Sequence, residues 1–223
     1  MRMFIGIPLA AATTRDLGAI ADHLRSRTAS ESLLRWSAAE SWHITLQFLG
    51  STTPQQYECV TARLRELHQP PFVVELGAVD TFDRAGVLFV DVRVTPQLVA
   101  LQQAVIAATI LCGFMPESRP YHPHITLARS RGKSGGRELR SLKLQIGQQS
   151  NIPSFTASSF LLYESTSTPE GSRYELRECF PLDGRLPDNL SPLVQRQENV
   201  EGVGESIARR GEPRKTPAGA NRS

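Results

Sequence analysis

The sequence is short of most features that would mark an exported, membrane-embedded or metal-clustered chain. Its 223 residues hold three cysteines, Cys59, Cys112 and Cys179, far apart and without a Cys-x-x-Cys pair. That scarcity argues against a disulfide framework or a thiolate zinc site and leads us to expect a reduced, cytoplasmic setting. No run approaches the roughly 20 apolar residues that cross a bilayer, so no membrane partner is expected. The opening Met1-Arg2-Met3-Phe4-Ile5-Gly6-Ile7-Pro8 is apolar only briefly and meets a proline at once. It lacks the longer apolar segment and small-residue cleavage site of a secretory leader. The net charge is only +3, from 25 Lys and Arg against 22 Asp and Glu, too little to name an anionic partner as a sum. From Pro187 to Ser223 there is no Phe, Trp or Tyr. A segment so poor in apolar surface cannot offset its own ordering entropy, so 186–223 is expected to be a disordered tail. Residues 1–185 remain as one domain, large enough to bury a core without staples.

The body alternates strand-like and helix-like segments. Strands are expected at Met3–Pro8, His43–Leu49, Phe72–Val79, Val87–Val94, His124–Ala128, Phe155–Glu164 and Arg173–Phe180, from β-branched and alternating apolar runs. Helices are expected from Thr13/Thr14 to Arg27, from Thr53-Pro54 to Leu67 and from Thr95-Pro96 to Leu111, the latter two opening on a cap followed by proline. This mixed order predicts an α+β fold with helices packed on antiparallel sheet.

One short sequence occurs twice. Trp42-His43-Ile44-Thr45-Leu46 is echoed by Pro123-His124-Ile125-Thr126-Leu127. On a strand, side chains two apart share a face, so His43 and Thr45 oppose Ile44 and Leu46, and His124 and Thr126 oppose Ile125 and Leu127. The apolar set must face the core, which turns each His-Thr pair toward solvent or a cleft. Core packing has no need of His and Thr twice on the polar face. Two lobes related by a pseudo-twofold axis would bring both pairs across one groove.

Two imidazoles and two hydroxyls suit acid–base work on a phosphodiester. One ring accepts a proton while the other donates one, and the hydroxyls donate to non-bridging phosphate oxygens. Neither copy contains Asp or Glu, so no carboxylate pair or carboxylate-rich metal site is encoded there. His122 and His124 share a face but lack a third ligand, and no metal is expected. Between Arg119 and Lys143 seven basic residues face Glu138 alone, a local +6 beside the second motif. Within it, Arg131-Gly132-Lys133-Ser134-Gly135-Gly136-Arg137 reads as a flexible basic loop able to steer an RNA backbone. Arg129 is the expected phosphate contact, yet on a regular strand it falls on the Ile125/Leu127 face and needs a bulge to turn round. Trp36, Trp42, Phe48 and Tyr121 lie near the motifs as possible stacking surfaces for a base, with Phe48 on the core parity. Of these, Trp42 and Tyr121 are expected to contact substrate.

The paired motifs resemble those of the two-histidine (2H) phosphoesterase superfamily. The flanking text, Met3 to Pro8, Arg35-Trp36, His43 to Gly50, Pro120 to Arg129, Tyr163-Glu164-Ser165 and Tyr174 to Leu182, is similar to that of RNA 2′,3′-cyclic phosphodiesterases of the 2′-5′ RNA ligase family. The resemblance covers about residues 1–183. It implies a bilobal α+β fold with both motifs in a central cleft. It implies metal-independent, cofactor-free hydrolysis of an RNA-terminal 2′,3′-cyclic phosphate to a 2′-phosphomonoester, with reversible 2′-5′ ligation as the related reaction. It further implies that His43 is the proton donor, that His124 is the proton acceptor and that Thr45 and Thr126 hold the phosphate oxygens. The expected partner is an RNA or oligonucleotide end, acted on by a monomer.

Overall fold

The computed structural model describes residues 1–145, 152–168 and 171–182. The tail expected from residue 186 onward lies outside them. The elements run β1 (Arg2–Pro8), α1 (Ala11–Ser26), β2 (Leu34–Trp36), β3 (His43–Ser51), α2 (Pro54–Arg65), β4 (Phe72–Val74), β5 (Leu76–Phe82), β6 (Val87–Val92), α3 (Pro96–Ile110), β7 (His124–Ser130), α4 (Gly132–Gln145), β8 (Phe155–Ala157), β9 (Ser159–Thr168) and β10 (Gly171–Pro181), with two short 3₁₀ turns flanking β2. Among the described residues no helix is long and apolar enough to cross a membrane.

The strands form two four-stranded antiparallel sheets, ordered β10-β9-β1-β3 and β2-β7-β6-β5, and a two-stranded sheet β4-β8. The expected α+β fold with antiparallel sheets is what the chain adopts. Each four-stranded sheet carries one copy of the repeated motif, on β3 and on β7. The two long strands expected at Phe72–Val79 and Phe155–Glu164 are each broken. The chain leaves β4 at Glu75 and enters β5, and leaves β8 at Ser158 and enters β9. The carbonyls at those breaks are not wasted, since Glu75 accepts from the Arg93 amide and Ser158 from the Leu182 amide. The β4-β8 ribbon therefore continues into both large sheets and fixes one against the other.

Helix starts follow local chemistry. Thr53 accepts from the Gln56 amide while the Gln56 side chain accepts from the Thr53 amide, with Pro54 at the first helical position. Thr95 and Pro96 repeat the cap at α3. The core includes Ile5, Ile7, Leu17, Ile44, Leu64, Leu88, Leu101, Ile125 and Phe160, all essentially without solvent exposure.

Two expectations are corrected here. The supposed basic loop after Arg131 is the start of a 14-residue helix, α4. Its three glycines read as loop, but Gly135 sits where an added Cβ would collide with the Leu33 carbonyl oxygen and lie 3.0 Å from the Ser130 Cβ. Gly135, Leu139 and Leu142 make the buried stripe at helical spacing. The second correction concerns cysteine. Cys59 on α2 and Cys112 just beyond α3 form a disulfide across 53 residues, with Cα atoms 5.8 Å apart. Sequence spacing hid it because the pair depends on α2 and α3 packing side by side. Cys179 is free, and burial pushes its thiol up to about 11.

Candidate active site

His43 and His124 open β3 and β7, and these two strands approach each other although they belong to different sheets. Both rings are anchored alike. His43 Nδ1 lies 2.7 Å from the Ser41 carbonyl oxygen, and His124 Nδ1 lies 2.8 Å from the His122 carbonyl oxygen. A carbonyl can only accept, so Nδ1 carries the proton in each ring. Nε2 is left as the nitrogen that exchanges protons. Thr45 and Thr126 are half-buried on the same strand faces as their histidines, opposite the fully buried Ile44 and Ile125.

The two strands also share an irregularity. The β1-β3 register passes from Ile5 opposite Gln47 to Gly6 opposite Thr45, leaving Leu46 unmatched. The β6-β7 register passes from Leu88 opposite Ala128 to Phe89 opposite Thr126, leaving Leu127 unmatched. A bulge three residues beyond each histidine reverses the parity after it. Gln47 and Ala128 consequently join the core, while Phe48 and Arg129, five residues beyond their histidines, turn out. This supplies the bend that Arg129 requires, and its cation opposes protonation of both His43 and His124. Arg35 stands directly opposite Arg129 on β2 and so shares its face. The same bulge overturns the core assignment of Phe48, a residue 65% exposed.

The other two expected contacts sit differently. Trp42 lies in the core at 6% exposure, so it is removed from the surfaces on which a base could stack. The Tyr121 hydroxyl donates to the Thr45 carbonyl at 3.2 Å, linking the segment before the second motif to the first.

The rings around the histidines were missed by the sequence reading. Phe4 lies 4.5 Å from the His43 ring, with Tyr174 at 5.3 Å edge-on and Tyr163 at 5.8 Å. Phe82 and Phe89 lie edge-on to His124 at 5.0 and 5.4 Å. These contacts join strands distant in sequence, and only the register of β1, β5, β6, β9 and β10 would have disclosed them. Their consequence is electrostatic. Burial lowers His43 to about 4, and the backbone bond from Ser41 only partly opposes that. Burial lowers His124 as well, and the bond to the His122 carbonyl and, more weakly, Asp91 only partly oppose that. Asp91 also holds His122, its Oδ1 3.1 Å from His122 Nε2, while the His122 carbonyl anchors His124. Among the described residues no group of three or more His, Cys, Asp or Glu is placed to hold a metal ion.

The chain is similar in sequence and fold to known proteins. The sequence profile of the 2′-5′ RNA ligase superfamily matches residues 14–163. An RNA 2′,3′-cyclic phosphodiesterase of Bacillus subtilis (strain 168) is 31% identical over 134 residues, 56% of this chain and 69% of its own. One from Aeropyrum pernix is 31% identical over 140 residues, 61% of this chain and 79% of its own. Escherichia coli LigT, crystallised with 3′-AMP, superposes with a TM-score of 0.66 at 25% identity over 81% of this chain and 97% of that one. A Thermus thermophilus protein shares the fold, with a TM-score of 0.62 at 20% identity over 83% of this chain and all of its own.

Proposed function

Because the chain belongs to the 2′-5′ RNA ligase superfamily, we propose that it hydrolyses RNA-terminal 2′,3′-cyclic phosphates by acid–base catalysis between His43 and His124. The observation that carries the reading is the matched pair of rings, each with Nδ1 bound to the carbonyl two residues back and Nε2 left for proton exchange.

A water oxygen attacks phosphorus as His124 Nε2 takes one of its protons. The bond from phosphorus to the ribose 3′ oxygen breaks, and that oxygen receives a proton from His43 Nε2. The products are a 2′-phosphomonoester and a free 3′ hydroxyl. His43 ends neutral and His124 protonated, and solvent returns the pair to its starting state. The assignment of roles has electrostatic support. The bond to the His122 carbonyl and, more weakly, Asp91 offset part of the burial that disfavours a cation on His124, and Asp91 has no counterpart at His43, which suits His124 to the acceptor role. The aromatic enclosure of His43 destabilises its cation, which makes it a strong acid once loaded. The Thr45 and Thr126 hydroxyls donate to the non-bridging oxygens, and Arg129 offers a guanidinium to the same anion. Phe48, exposed on the corresponding bulge, is the surface on which the terminal base stacks. Both motifs lack carboxylates, so the protons move between imidazoles and no metal ligand set is needed. Replacing water by the 5′ hydroxyl of a second RNA, with the same departure of the 3′ oxygen protonated by His43, gives the parallel 2′-5′ joining reaction.

The test is an oligonucleotide ending in a 2′,3′-cyclic phosphate, incubated with the protein in EDTA. Conversion to a terminal phosphomonoester is expected. Binding without conversion would leave a non-catalytic RNA-binding module, and loss of conversion on adding EDTA would refute the metal-free step. Comparing RNA ends with small cyclic nucleotides and 2′-5′ linked oligonucleotides sets the substrate class.

A further inference from the structure

A second recess lies beyond the His-Thr groove. It is an open cavity of about 760 Å³ between the β5-β6 turn, the end of β7 and the first turns of α4. Asp83, Arg84 and Gly86 come from the turn, Ser130 from β7, and Arg137 and Arg140 from α4. The turn is pinned to β7 by the Ser130 amide, which donates to the Gly86 carbonyl at 2.7 Å. Arg84, Arg137 and Arg140 are exposed, and none forms an ion pair with any described residue. This distinguishes them from Lys143, one turn further along α4, which is paired with Asp80. The single carboxylate in the lining, Asp83, accepts from the Thr81 hydroxyl at 2.7 Å.

Three guanidiniums around one cavity, with no ion-pair partner among the described residues, suit phosphate oxygens, which they can bind bidentately. The lining contains no aromatic or long apolar side chain on which a base could rest. The recess therefore fits a sugar-phosphate backbone rather than a nucleobase or a nucleotide cofactor. Its position relative to the groove agrees. Phe82, whose ring lies 5.0 Å from His124, is followed directly by Asp83 and Arg84 of the cavity wall. Along β7, Thr126 and Ser130 are four residues apart, about 13 Å at strand rise. An RNA end held at the histidines has its next few phosphates within that range.

We propose that this cavity is a subsite for the backbone phosphates of the RNA strand upstream of the terminal cyclic phosphate. The proposal rests on the reading of the His-Thr groove given above. It makes the protein discriminate between polymer ends and free nucleotides without reading sequence.

The test compares the wild type with the triple variant Arg84→Ala/Arg137→Ala/Arg140→Ala in direct binding. One probe is a fluorescein-labelled single-stranded RNA of about eight nucleotides, a mid-range single-strand site size, ending in a 2′-phosphate. The other is adenosine 2′-monophosphate. Losing three phosphate contacts from a single strand lowers the log–log salt slope by about 2. Over one decade of salt that is up to about 100-fold, so the RNA dissociation constant should rise between about tenfold and 100-fold at 0.1 M salt. Affinity for the mononucleotide should stay unchanged, which also reports an intact fold. Unchanged RNA affinity and salt slope, or an equal loss with the mononucleotide, would overturn the subsite. Turnover of a cyclic phosphate end by the same wild-type preparation is scored separately. Its absence would refute the proposed reaction, while the binding comparison still decides the cavity.

Discussion

Loading of His43 with its proton offers the sharpest test of the mechanism. With the free ring lowered to about 4, at pH 6 only about one molecule in 100 carries the proton that the leaving oxygen must receive. The substrate has to supply the difference. Raising His43 from about 4 to near 7 requires about 4 kcal/mol, at about 1.4 kcal/mol per pH unit. A single phosphate charge about 4 Å from the imidazolium, in the effective dielectric near a protein surface, contributes about 4 kcal/mol. The two magnitudes match, so the bound His43 should be protonated in about nine molecules of ten at pH 6, and binding should take up about 0.9 proton. Uridine 2′,3′-cyclic phosphate is the suitable ligand, since its diester and base do not titrate near that pH. The His124→Ala variant is the suitable protein, because it removes both turnover and the second imidazole. Calorimetric titration in two buffers of different ionisation enthalpy reads the proton count. Uptake near zero would refute the reasoning. So would uptake that persists when His43→Ala is added to the same variant.

Gly6 faces Thr45 across the β1-β3 pair, and a Cβ there would lie 3.2 Å from the His43 ring and 3.0 Å from the Ile44 carbonyl oxygen. Gly6→Ala should push the ring by a few tenths of an ångström and lower kcat about 10- to 100-fold, with KM little changed, in steady-state kinetics. Arg129→Ala should lower kcat/KM about 100- to 1,000-fold. Because the cation holds both imidazoles down, its removal should also move the pH profile of the residual activity upward; an unmoved profile would separate Arg129 from the histidines. Stability has its own pH signature. His43 is depressed from 6.5 to about 4 on folding, so the unfolded chain takes up the proton first. The associated stability is present above pH 6.5 and is lost as pH falls toward 4, by about 3 kcal/mol. Urea unfolding at pH 7 and pH 4.5 should show about 2.4 kcal/mol less acid sensitivity in His43→Asn than in the wild type.

The elements that carry the proposed chemistry were the most legible from sequence, and the reason is local. The His-Ile-Thr-Leu alternation specifies a strand with one polar face wherever it is placed, and its repetition marks that face as functional. The caps at Thr53-Pro54 and Thr95-Pro96 are likewise local hydrogen-bond arrangements. Illegible features depended on what lies opposite. The reversal of Phe48 from core to surface comes from a bulge set by the β1 register, and the same event at β7 turns Arg129 outward. Trp42 looked available because its neighbours are, yet the lobe packs over it. The glycines of α4 mimic a loop until the Leu33 carbonyl is seen pressing on Gly135. The Cys59–Cys112 bond and the ring of Phe4, Tyr163 and Tyr174 about His43 join segments that no window along the chain contains together.

The central claim is that two copies of one short motif, on two sheets, operate as a single acid–base device. Single-turnover rates on an RNA end bearing a 2′,3′-cyclic phosphate, for the wild type, His43→Ala, His124→Ala and the double variant, test it directly. Each single variant should lose about 100- to 10,000-fold, and the double variant should be hardly slower than either, because a pair that acts as one unit fails as one. Losses that multiply in the double variant, or one single variant near the wild-type rate, would contradict the account.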